Sequence, residues 1–167
     1  MHRVVRVIFS GTMSFPPAQE TSPFVEIVSA AWRDLAALRT LERVCFPKDA
    51  WPLLDLIGVL SFPNVVRLKA VIHNEMVGFV AGDIRSSNGL AWIATIGVLP
   101  EYRRQGIATQ LLKACEERLS KYTIRLSVRE DNIPAITLYN KLGYKRVGMW
   151  PAYYQDGSDA IVLEKFR

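Results

Sequence analysis

The chain has 167 residues, the length of one domain with a substantial core and too short for two. Half of the residues are hydrophobic, 22% are charged, and glycine (10) and proline (9) are not enriched, which excludes disordered, collagen-like and disulfide-framework proteins. Two cysteines and two histidines without local ligand spacing predict a protein of the reducing cytoplasm with no metal site. No apolar run reaches the roughly 18–20 residues of a membrane span, so we expect no membrane association and no cleaved export signal.

The charge of the chain is basic, with a net value of +5 and an isoelectric point near 9.4. The 21 basic residues are scattered, and they form neither a stripe on one helix nor a known nucleic-acid-binding motif. The pair in the most suggestive context is Arg103 and Arg104, beside a glycine. This balance predicts an anionic cofactor or a ribosomal neighbourhood, and no direct contact with nucleic acid.

Residues 1–23 are predicted to form a flexible N-terminal tail, because Pro16, Pro17 and Pro23 resist both helix and strand. Residues 24–167 are predicted to form a single domain, written β-α-α-β-β-β-α-β-α-β-β, with a mixed sheet and helices packed on it. In chain order, the hydrophobic spacing predicts a strand at Phe24–Val28, helices from Trp32 to before Phe46 and from about Trp51 to Leu60, strands at Val65–Ile72, Met76–Ile84 and Leu90–Val98, a helix from about Gly106 to Tyr122, a strand at Thr123–Val128, a helix at Ile133–Leu142, and strands at Tyr144–Trp150 and within Ala160–Phe166.

The strongest local feature is the segment Ile96–Thr109, IGVLPEYRRQGIAT, in which a strand leads through a tight basic loop into a helix. A helix N-terminus presents unpaired N–H groups and positive potential, which suit a phosphate. Gly106 lets the backbone approach an anion, Ala108 keeps the next turn slim, and Arg103 and Arg104 add positive charge. The pattern is neither the dinucleotide fingerprint nor the P-loop, so it predicts a pyrophosphate held by backbone amides. The alternative is a solvated basic loop that caps the helix.

The same segment resembles the pyrophosphate loop of the GNAT acetyltransferases, Q/R-x-x-G-x-G/A, which reads RRQGIA at 103–108. The resemblance covers residues 24–166, and within the family it extends to the protein N-terminal acetyltransferases, including the ribosomal-protein-alanine type. It implies the GNAT fold, a mixed and mostly antiparallel sheet of about seven strands with helices on both faces. Four stretches carry it in order: ERVCFPKDAW (42–51), the loop at 98–109, LSVREDNIPAITLYNKLGY (126–144), and YY (153–154) followed by DAIVL (159–163).

The resemblance implies that acetyl-CoA is the cosubstrate. It assigns the N–H of Val98, at the end of a strand that in this family splays from its neighbour, to the pantetheine arm and the thioester carbonyl. Asn132 matches a residue that helps to hold the CoA arm, and its type and position also suit a helix N-cap. The pyrophosphate is assigned to the amides around Arg103, Arg104, Gln105, Gly106, Ile107, Ala108 and Thr109.

For catalysis, Tyr139 matches the tyrosine that gives a proton to the departing CoA thiolate, and a buried core tyrosine is the alternative. A thiol with a pKa of roughly 8.5 and a phenol of roughly 10 are compatible with this transfer. The chain departs from the family at Ser127, where bacterial relatives have the glutamate general base, so no base is assigned, although Glu130 and Asp131 lie nearby in the sequence. With proton removal through ordered water and backbone carbonyls, kcat/KM should rise along the titration of the amine itself.

For the acceptor, the resemblance assigns the segments at the two N-terminal helices and the tyrosine pair near the C-terminus to a peptide N-terminus. Aromatic rings can sandwich an extended peptide while tyrosine hydroxyls bond its backbone. Ser158 departs from the bacterial E-D-A pattern, so fine specificity is not carried over. Ordinary core packing is the alternative, above all for Phe46 and Trp51. The assigned residues are Phe46, Pro47, Trp51, Trp92, Tyr153 and Tyr154.

Together these features predict an acetyl-CoA-dependent N-acetyltransferase that modifies the α-amine of a protein N-terminus. Direct attack in a ternary complex is expected, because neither Cys45 nor Cys115 is presented as a nucleophile. Neutralising an α-amine at pH 7 costs about 1–1.4 kcal/mol and neutralising a lysine about 4.6, so a site without a strong base suits the α-amine. Two alternatives stay open: an enzyme acting on a small amine or a lysine side chain, and a non-catalytic acetyl-CoA-binding module.

Overall fold

The computed structural model describes residues 24–84, 89–120 and 123–166, so the predicted tail (1–23) and Tyr122 lie outside the described residues. In the described part, short 3-10 helices at Trp32–Asp34 and Pro100–Tyr102 accompany the main elements. These are β1 (Glu26–Ser29), α1 (Leu35–Cys45), α2 (Leu53–Ser61), β2 (Val65–Ile72), β3 (Glu75–Asp83), β4 (Leu90–Val98), α3 (Ile107–Leu119), β5 (Thr123–Arg129), α4 (Ile133–Lys141), β6 (Lys145–Trp150) and β7 (Ala160–Phe166).

The seven strands form one sheet in the order β1-β2-β3-β4-β5-β7-β6. All neighbouring strands are antiparallel except β4 and β5, which run parallel. The helix α3 connects these two parallel strands, as a crossover between parallel neighbours requires. The sheet is therefore mixed and mostly antiparallel, as the sequence predicts.

Two hydrophobic clusters cover the two faces of the sheet. On one face, Leu38 and Leu41 of α1 and Leu56 of α2 pack with Phe79 of β3. On the other face, α3 and α4 pack against a larger cluster that contains Val80. Each fully buried leucine contributes about 1.5–3 kcal/mol of transfer free energy. The buried leucines of α1 and α3 therefore hold these helices against the two faces of the sheet. The prediction of helices on both faces is confirmed.

The structure differs clearly from the sequence prediction at three element boundaries. The helix predicted to run to Tyr122 ends at Leu119, because Ser120 takes a left-handed φ of 49°. The first strand begins at Glu26 rather than Phe24, because its pairing with β2 begins at Glu26 opposite Val71. The second helix begins at Leu53 rather than Trp51, because Pro52 is its N-cap. No helix in the part of the chain that the structure describes has both the length and the hydropathy of a membrane span.

Candidate active site

The parallel strands β4 and β5 separate halfway along their length. Their pairing runs from Leu90 opposite Thr123 to Ile93 opposite Leu126, and within the described strands it ends there. At the point of separation β4 carries a bulge, because Gly82 of β3 faces Ile93 whereas the preceding residue of β3 faces Thr95. The C-terminal half of β4 thus leaves its neighbour and opens a gap in the sheet, and the predicted splay is present.

Val98 presents its backbone to this gap. The amide of Leu99 donates a hydrogen bond of 2.9 Å to the carbonyl of Val77 in β3. Because backbone groups alternate in direction along a strand, the amide and carbonyl of Val98 point away from β3. Arg103 donates a hydrogen bond of 2.9 Å from Nε to the carbonyl of Val98. The amide of Val98 faces the gap, where a carbonyl oxygen could accept from it.

The loop before α3 exposes a run of backbone amides. No group in the described part of the chain accepts a hydrogen bond from the amides of residues 104–109. Arg104 and Gly106 have positive φ angles of 65° and 80°, which turn the loop into the helix, and no atom lies within 4 Å of where a Cβ of Gly106 would be. Six amides beside open space and at the positive end of a 13-residue helix fit the pyrophosphate of acetyl-CoA.

Arg103 is positioned differently from the other residues assigned to this loop. Its amide donates to the carbonyl of Pro100 at 3.2 Å, and its guanidinium is directed to Val98. The described structure therefore leaves the amides from Arg104 to Thr109 free for a phosphate, whereas Arg103 links the loop to the end of β4.

Tyr139 lies on α4 and is 6% exposed. The helix begins at Asn132, whose Oδ1 accepts a hydrogen bond of 3.2 Å from the amide of Ala135, so the predicted cap is confirmed. The ring of Tyr139 packs edge-on against Tyr144 with centroids 5.8 Å apart, and its hydroxyl bonds to no described residue. Burial, followed by the proximity of Tyr154, raises the pKa of Tyr139. The phenol therefore stays protonated at neutral pH and can donate a proton.

Three residues that the resemblance assigns to the acceptor belong to one aromatic ladder, which consists of Trp92, Trp150, Tyr153 and Tyr154. Trp92 stacks on Trp150 with ring centroids 5.6 Å apart, Trp150 meets Tyr153 at a tilt, and Tyr153 meets Tyr154 edge-on, with centroids 5.2 Å apart in both of the last two contacts. The sequence analysis assigned three of these residues and missed Trp150, which it assigned only to a strand. The ladder begins on β4, ends in the loop before β7, and so spans strands on both sides of the gap.

The other residues that the resemblance assigns to the acceptor come from the α1–α2 segment. Phe46 lies against Gly97 of β4, since a Cβ on that glycine would meet the phenylalanine ring at 3.2 Å. Trp51 is half-buried and packs on the cluster between α1 and α2, which is the core role given as its alternative. Pro47 is exposed at the end of α1. Phe46 thus contacts the residue before Val98, whereas Trp51 packs on the core cluster of α1 and α2.

Arg129 joins the two acceptor-side segments, and sequence analysis assigned it no role. It bonds to Asp49 before α2 at 2.9 Å, to Asp156 before β7 at 2.6 Å and to Ser158 at 2.7 Å. Its guanidinium also lies 4.6 Å from the ring centroid of Tyr154. These carboxylates, Asp156 first, raise its pKa further above the ordinary value for arginine. The feature of the sequence that could have indicated this role is an arginine at the end of a strand, with acidic residues in two loops.

Ser127 lies on the part of β5 beyond its pairing with β4, opposite Val162 of β7. A carboxyl group that sequence analysis did not single out is found instead on α1: Glu42 is 2% exposed, and burial raises its pKa to about 7. Its Oε1 accepts a hydrogen bond of 3.4 Å from the amide of Trp51. The one feature of the sequence that could have indicated its burial is its position next to the core residue Leu41.

A splayed pair of parallel strands beside a cradle of free amides at a helix start is the arrangement of an acyltransferase that uses a pyrophosphate-containing carrier. The model of the acetyltransferase (GNAT) family matches residues 32–144, and the chain belongs to this family. It is an acetyl-CoA-dependent N-acetyltransferase of the GNAT type.

Individual proteins show the same likeness. The N-alpha-acetyltransferase of Saccharolobus solfataricus is 30% identical over 151 residues, which are 82% of this chain and 90% of that protein. The N-alpha-acetyltransferase of Sulfolobus acidocaldarius is 37% identical over 152 residues, covering 83% and 90%. The crystal structure of the ribosomal-protein-S18-alanine N-acetyltransferase of Escherichia coli superposes with a TM-score of 0.78 at 26% identity, covering 86% of this chain and 94% of that one.

Proposed function

We propose that this enzyme acetylates the α-amine of a protein or peptide N-terminus. The observation that carries the proposal is the acceptor side, where the aromatic ladder and the α1–α2 segment flank the gap between β4 and β5 and are tied together by Arg129. Aromatic rings can pack on the extended start of a polypeptide, and the tyrosine hydroxyls beside them can hydrogen-bond to its backbone. The relatives named N-alpha-acetyltransferase support the same acceptor class.

In this proposal acetyl-CoA supplies an activated acetyl thioester. The amides of residues 104–109 would hold its pyrophosphate, and the open part of β4 would bind the pantetheine arm as a neighbouring strand does. The amide of Val98 would donate to the thioester carbonyl oxygen and so polarise it. Asn132, the cap of α4, lies at the start of the helix that carries Tyr139 and would contact the arm there.

The transfer is direct, without an acetylated enzyme. The nitrogen of the neutral amine forms a bond to the acetyl carbon, the carbon–sulfur bond breaks, and the nitrogen releases one proton to water. Tyr139 would donate its hydroxyl proton to the departing sulfur, and it would recover a proton from solvent after the products leave. Burial of Cys115 raises its pKa to about 12, and burial also raises the pKa of Cys45, so neither thiol is ionised enough to act as a nucleophile.

Energetics favour an α-amine over a lysine at this site. Removing the proton costs about 1–1.4 kcal/mol for an α-amine at pH 7 and about 4.6 kcal/mol for a lysine. Ser127 supplies no carboxylate at the strand position that faces the reaction in the bacterial relatives. With no carboxylate at this position of β5, the lower cost of deprotonation favours the α-amine as acceptor.

The test is acetyl transfer to a panel of acceptors. The panel contains peptides with free Ala, Ser, Met and Thr N-termini, the same peptides with blocked N-termini and an internal lysine, and a polyamine. We expect transfer to free N-termini only, and a strong loss of it in Tyr139→Phe. Transfer to the blocked peptides or to the polyamine alone would replace the proposal with a lysine or small-amine acceptor. Binding of acetyl-CoA without transfer to any acceptor would indicate a non-catalytic module.

A further inference from the structure

Glu42 differs from the other buried carboxylates of the described chain in having no cationic partner. It is 2% exposed, and no described lysine, arginine or histidine lies within ion-pair distance of it. The other three buried acids each bond to a cation; these pairs are Asp34 with Lys69, Glu116 with Lys165, and Glu164 with Arg125. Burying a carboxyl group without a cationic partner is costly. The burial of Glu42 in this state therefore calls for a functional explanation.

The two oxygens of Glu42 have different surroundings. Oε1 accepts the long hydrogen bond from the amide of Trp51, whereas Oε2 is buried and bonds to no group in the described residues. A buried oxygen without a described hydrogen-bond partner is a place where an ordered water molecule could bind, and such a water would satisfy the oxygen and could pass it a proton.

The position of Glu42 relates it to the gap between β4 and β5. Its helix rests on Gly97, where a Cβ would meet Leu41 and Cys45 at 3.2 Å. Its bonding partner Trp51 follows Asp49, which Arg129 ties to the end of β5. Glu42 is thus held between a segment anchored on β4 and a segment anchored on β5, at the end where these two strands separate.

We propose that Glu42 is the general base of the transfer and accepts the proton of the acceptor ammonium through a water molecule bound at Oε2. The ammonium gives one proton to the water, the water gives one to Oε2, and the neutral amine attacks the thioester carbonyl. As the carbon–sulfur bond breaks, the nitrogen releases its second proton to water and the departing sulfur takes the proton of Tyr139. Glu42 returns the proton to solvent after product release. This inference rests on the proposed amine transfer, and it assigns to α1 the carboxylate that β5 lacks at Ser127.

The electrostatic surroundings agree with this role. Burial raises the pKa of Glu42 to about 7, close to that of an α-ammonium, so the proton transfer between them is nearly balanced. The titratable neighbour on the same helix is Cys45, and beyond it the segment after β4 contributes Arg103 and Glu101. Burial first of all raises the pKa of the Cys45 thiol, Arg103 lowers it, and Glu42 and Glu101 add to the rise, so the thiol remains a neutral neighbour.

The experiment compares the pH dependence of kcat/KM in the wild type and in Glu42→Gln, with two peptide acceptors that differ in the basicity of their amine, Ala-first and Ser-first. We expect Glu42→Gln to lower kcat/KM about 100-fold at pH 7. In the wild type the acid limb should lie near pH 7 with both peptides. In the variant it should move with the amine of the peptide, because the amine must then arrive neutral.

A matched control is Asp34→Asn, which removes another buried carboxylate near the start of α1 and breaks its ion pair with Lys69. It should lower the melting temperature and leave the acid limb in place. If Glu42→Gln does not fold, Glu42→Asp is measured, and it should keep the limb near pH 7 with kcat reduced at least tenfold. The proposal is overturned if the acid limb of the wild type already moves with the amine, if Glu42→Gln keeps the wild-type profile, or if Glu42→Asp keeps the wild-type kcat.

The result is separable from the proposed function. Any acceptor in the panel that is acetylated, including lysine or a polyamine, presents an ammonium that must lose a proton. If transfer occurs only to lysine, the proposed N-terminal acceptor fails, and the pH profile of Glu42→Gln still tests the base with the lysine peptide.

Discussion

Arg103 donates a hydrogen bond of 2.9 Å to the carbonyl of Val98, which leaves the amide of the same valine open to the gap between β4 and β5. We expect Arg103→Ala to lower kcat/KM about 10-fold to 100-fold, because losing a charge-assisted hydrogen bond costs about 1.5–3 kcal/mol. Without this bond the backbone of Val98, whose amide would polarise the thioester, is no longer held in place. Steady-state kinetics with an Ala-first peptide measure this. Arg43→Ala removes an exposed arginine of α1 and should have no effect. Equal kcat/KM in the two variants would contradict the role of the bond.

Tyr139→Phe removes the proposed proton donor and no hydrogen bond within the described chain. We expect kcat to fall about 100-fold or more, since the sulfur then leaves without its proton, while the Kd for acetyl-CoA stays unchanged. Tyr144→Phe is the matched control, because its hydroxyl donates a bond of 2.8 Å to Glu116 and its ring packs on Tyr139. It should cost about 1–3 kcal/mol of stability and spare most of kcat. A similar kcat in the two variants would show that Tyr139 acts only by packing.

Arg129 holds the α1–α2 segment and the loop before β7 through Asp49 and Asp156. We expect Arg129→Met to raise the KM for the peptide about tenfold, equivalent to about 1.4 kcal/mol, because both walls of the acceptor cleft lose their common anchor. The KM for acetyl-CoA should not change. Bisubstrate kinetics that vary each substrate in turn separate the two constants.

The control for Arg129 lies on the same strand. Arg125 also faces a carboxylate, that of buried Glu164, but it sits where β5 is still paired with β4. Arg125→Met should lower stability, since it leaves a buried carboxylate unpaired, and should leave the KM for the peptide unchanged. An equal rise in that KM for both variants would point to a general loosening of the sheet.

Much of the architecture was predictable from local patterns. The strand Leu90–Val98 begins and ends as the sequence predicts, and the last strand lies within the predicted range Ala160–Phe166, because short runs of mostly apolar residues mark both. The cap at Asn132 and the helix start after Gly106 are equally local. The separation of β4 from β5 was an implication of the family resemblance, since pairing between strands that are far apart in sequence has no local pattern.

The side chains that the sequence did not identify have long-range partners. Arg129 bonds to residues up to 80 positions away, so its role depends on the meeting of two loops at one strand end. Trp150 belongs to the aromatic ladder through a ring contact with Trp92, although β5 and β7 lie between their strands in the sheet, and no local pattern predicts such a contact. Glu42 follows a buried leucine on a helix, and an acid in that position normally faces solvent; the following segment folds back over it.

Gly106→Ala tests the amide cradle. Its φ of 80° makes the alanine strained by about 1–2 kcal/mol, and the added methyl group projects into the open space in front of the free amides. We expect the Kd for acetyl-CoA to rise at least tenfold, measured by calorimetric titration. Gly143→Ala is matched in backbone, with a φ of 91° and open space around its Cβ, but lies after α4. It should show the same loss of stability and an unchanged Kd, whereas equal Kd values in the two variants would place the pyrophosphate elsewhere.

Glu42 should give the stability of the protein a measurable pH dependence. Its carboxyl has a pKa of about 7 in the folded protein against an ordinary value of 4.5, so the folded state holds the proton more tightly. The stability from this group is therefore fully present below pH 4.5 and is lost as the pH rises through 7, by about 3 kcal/mol in total. Glutamine carries no such charge, so the free energy of unfolding of Glu42→Gln should rise relative to the wild type by about 2–3 kcal/mol between pH 5 and pH 8.

Urea denaturation of both proteins at pH 5, 6, 7 and 8 measures this difference directly. Glu101→Gln is the control, because it removes an exposed carboxylate of the neighbouring segment, and its difference from the wild type should stay constant over the same range. A constant difference for Glu42→Gln would mean that the carboxyl ionises at its ordinary pH, and the balanced proton transfer from an α-ammonium would then lose its basis. A rising difference would place the ionisation of a buried, unpaired carboxyl in the range where the enzyme must deprotonate its acceptor.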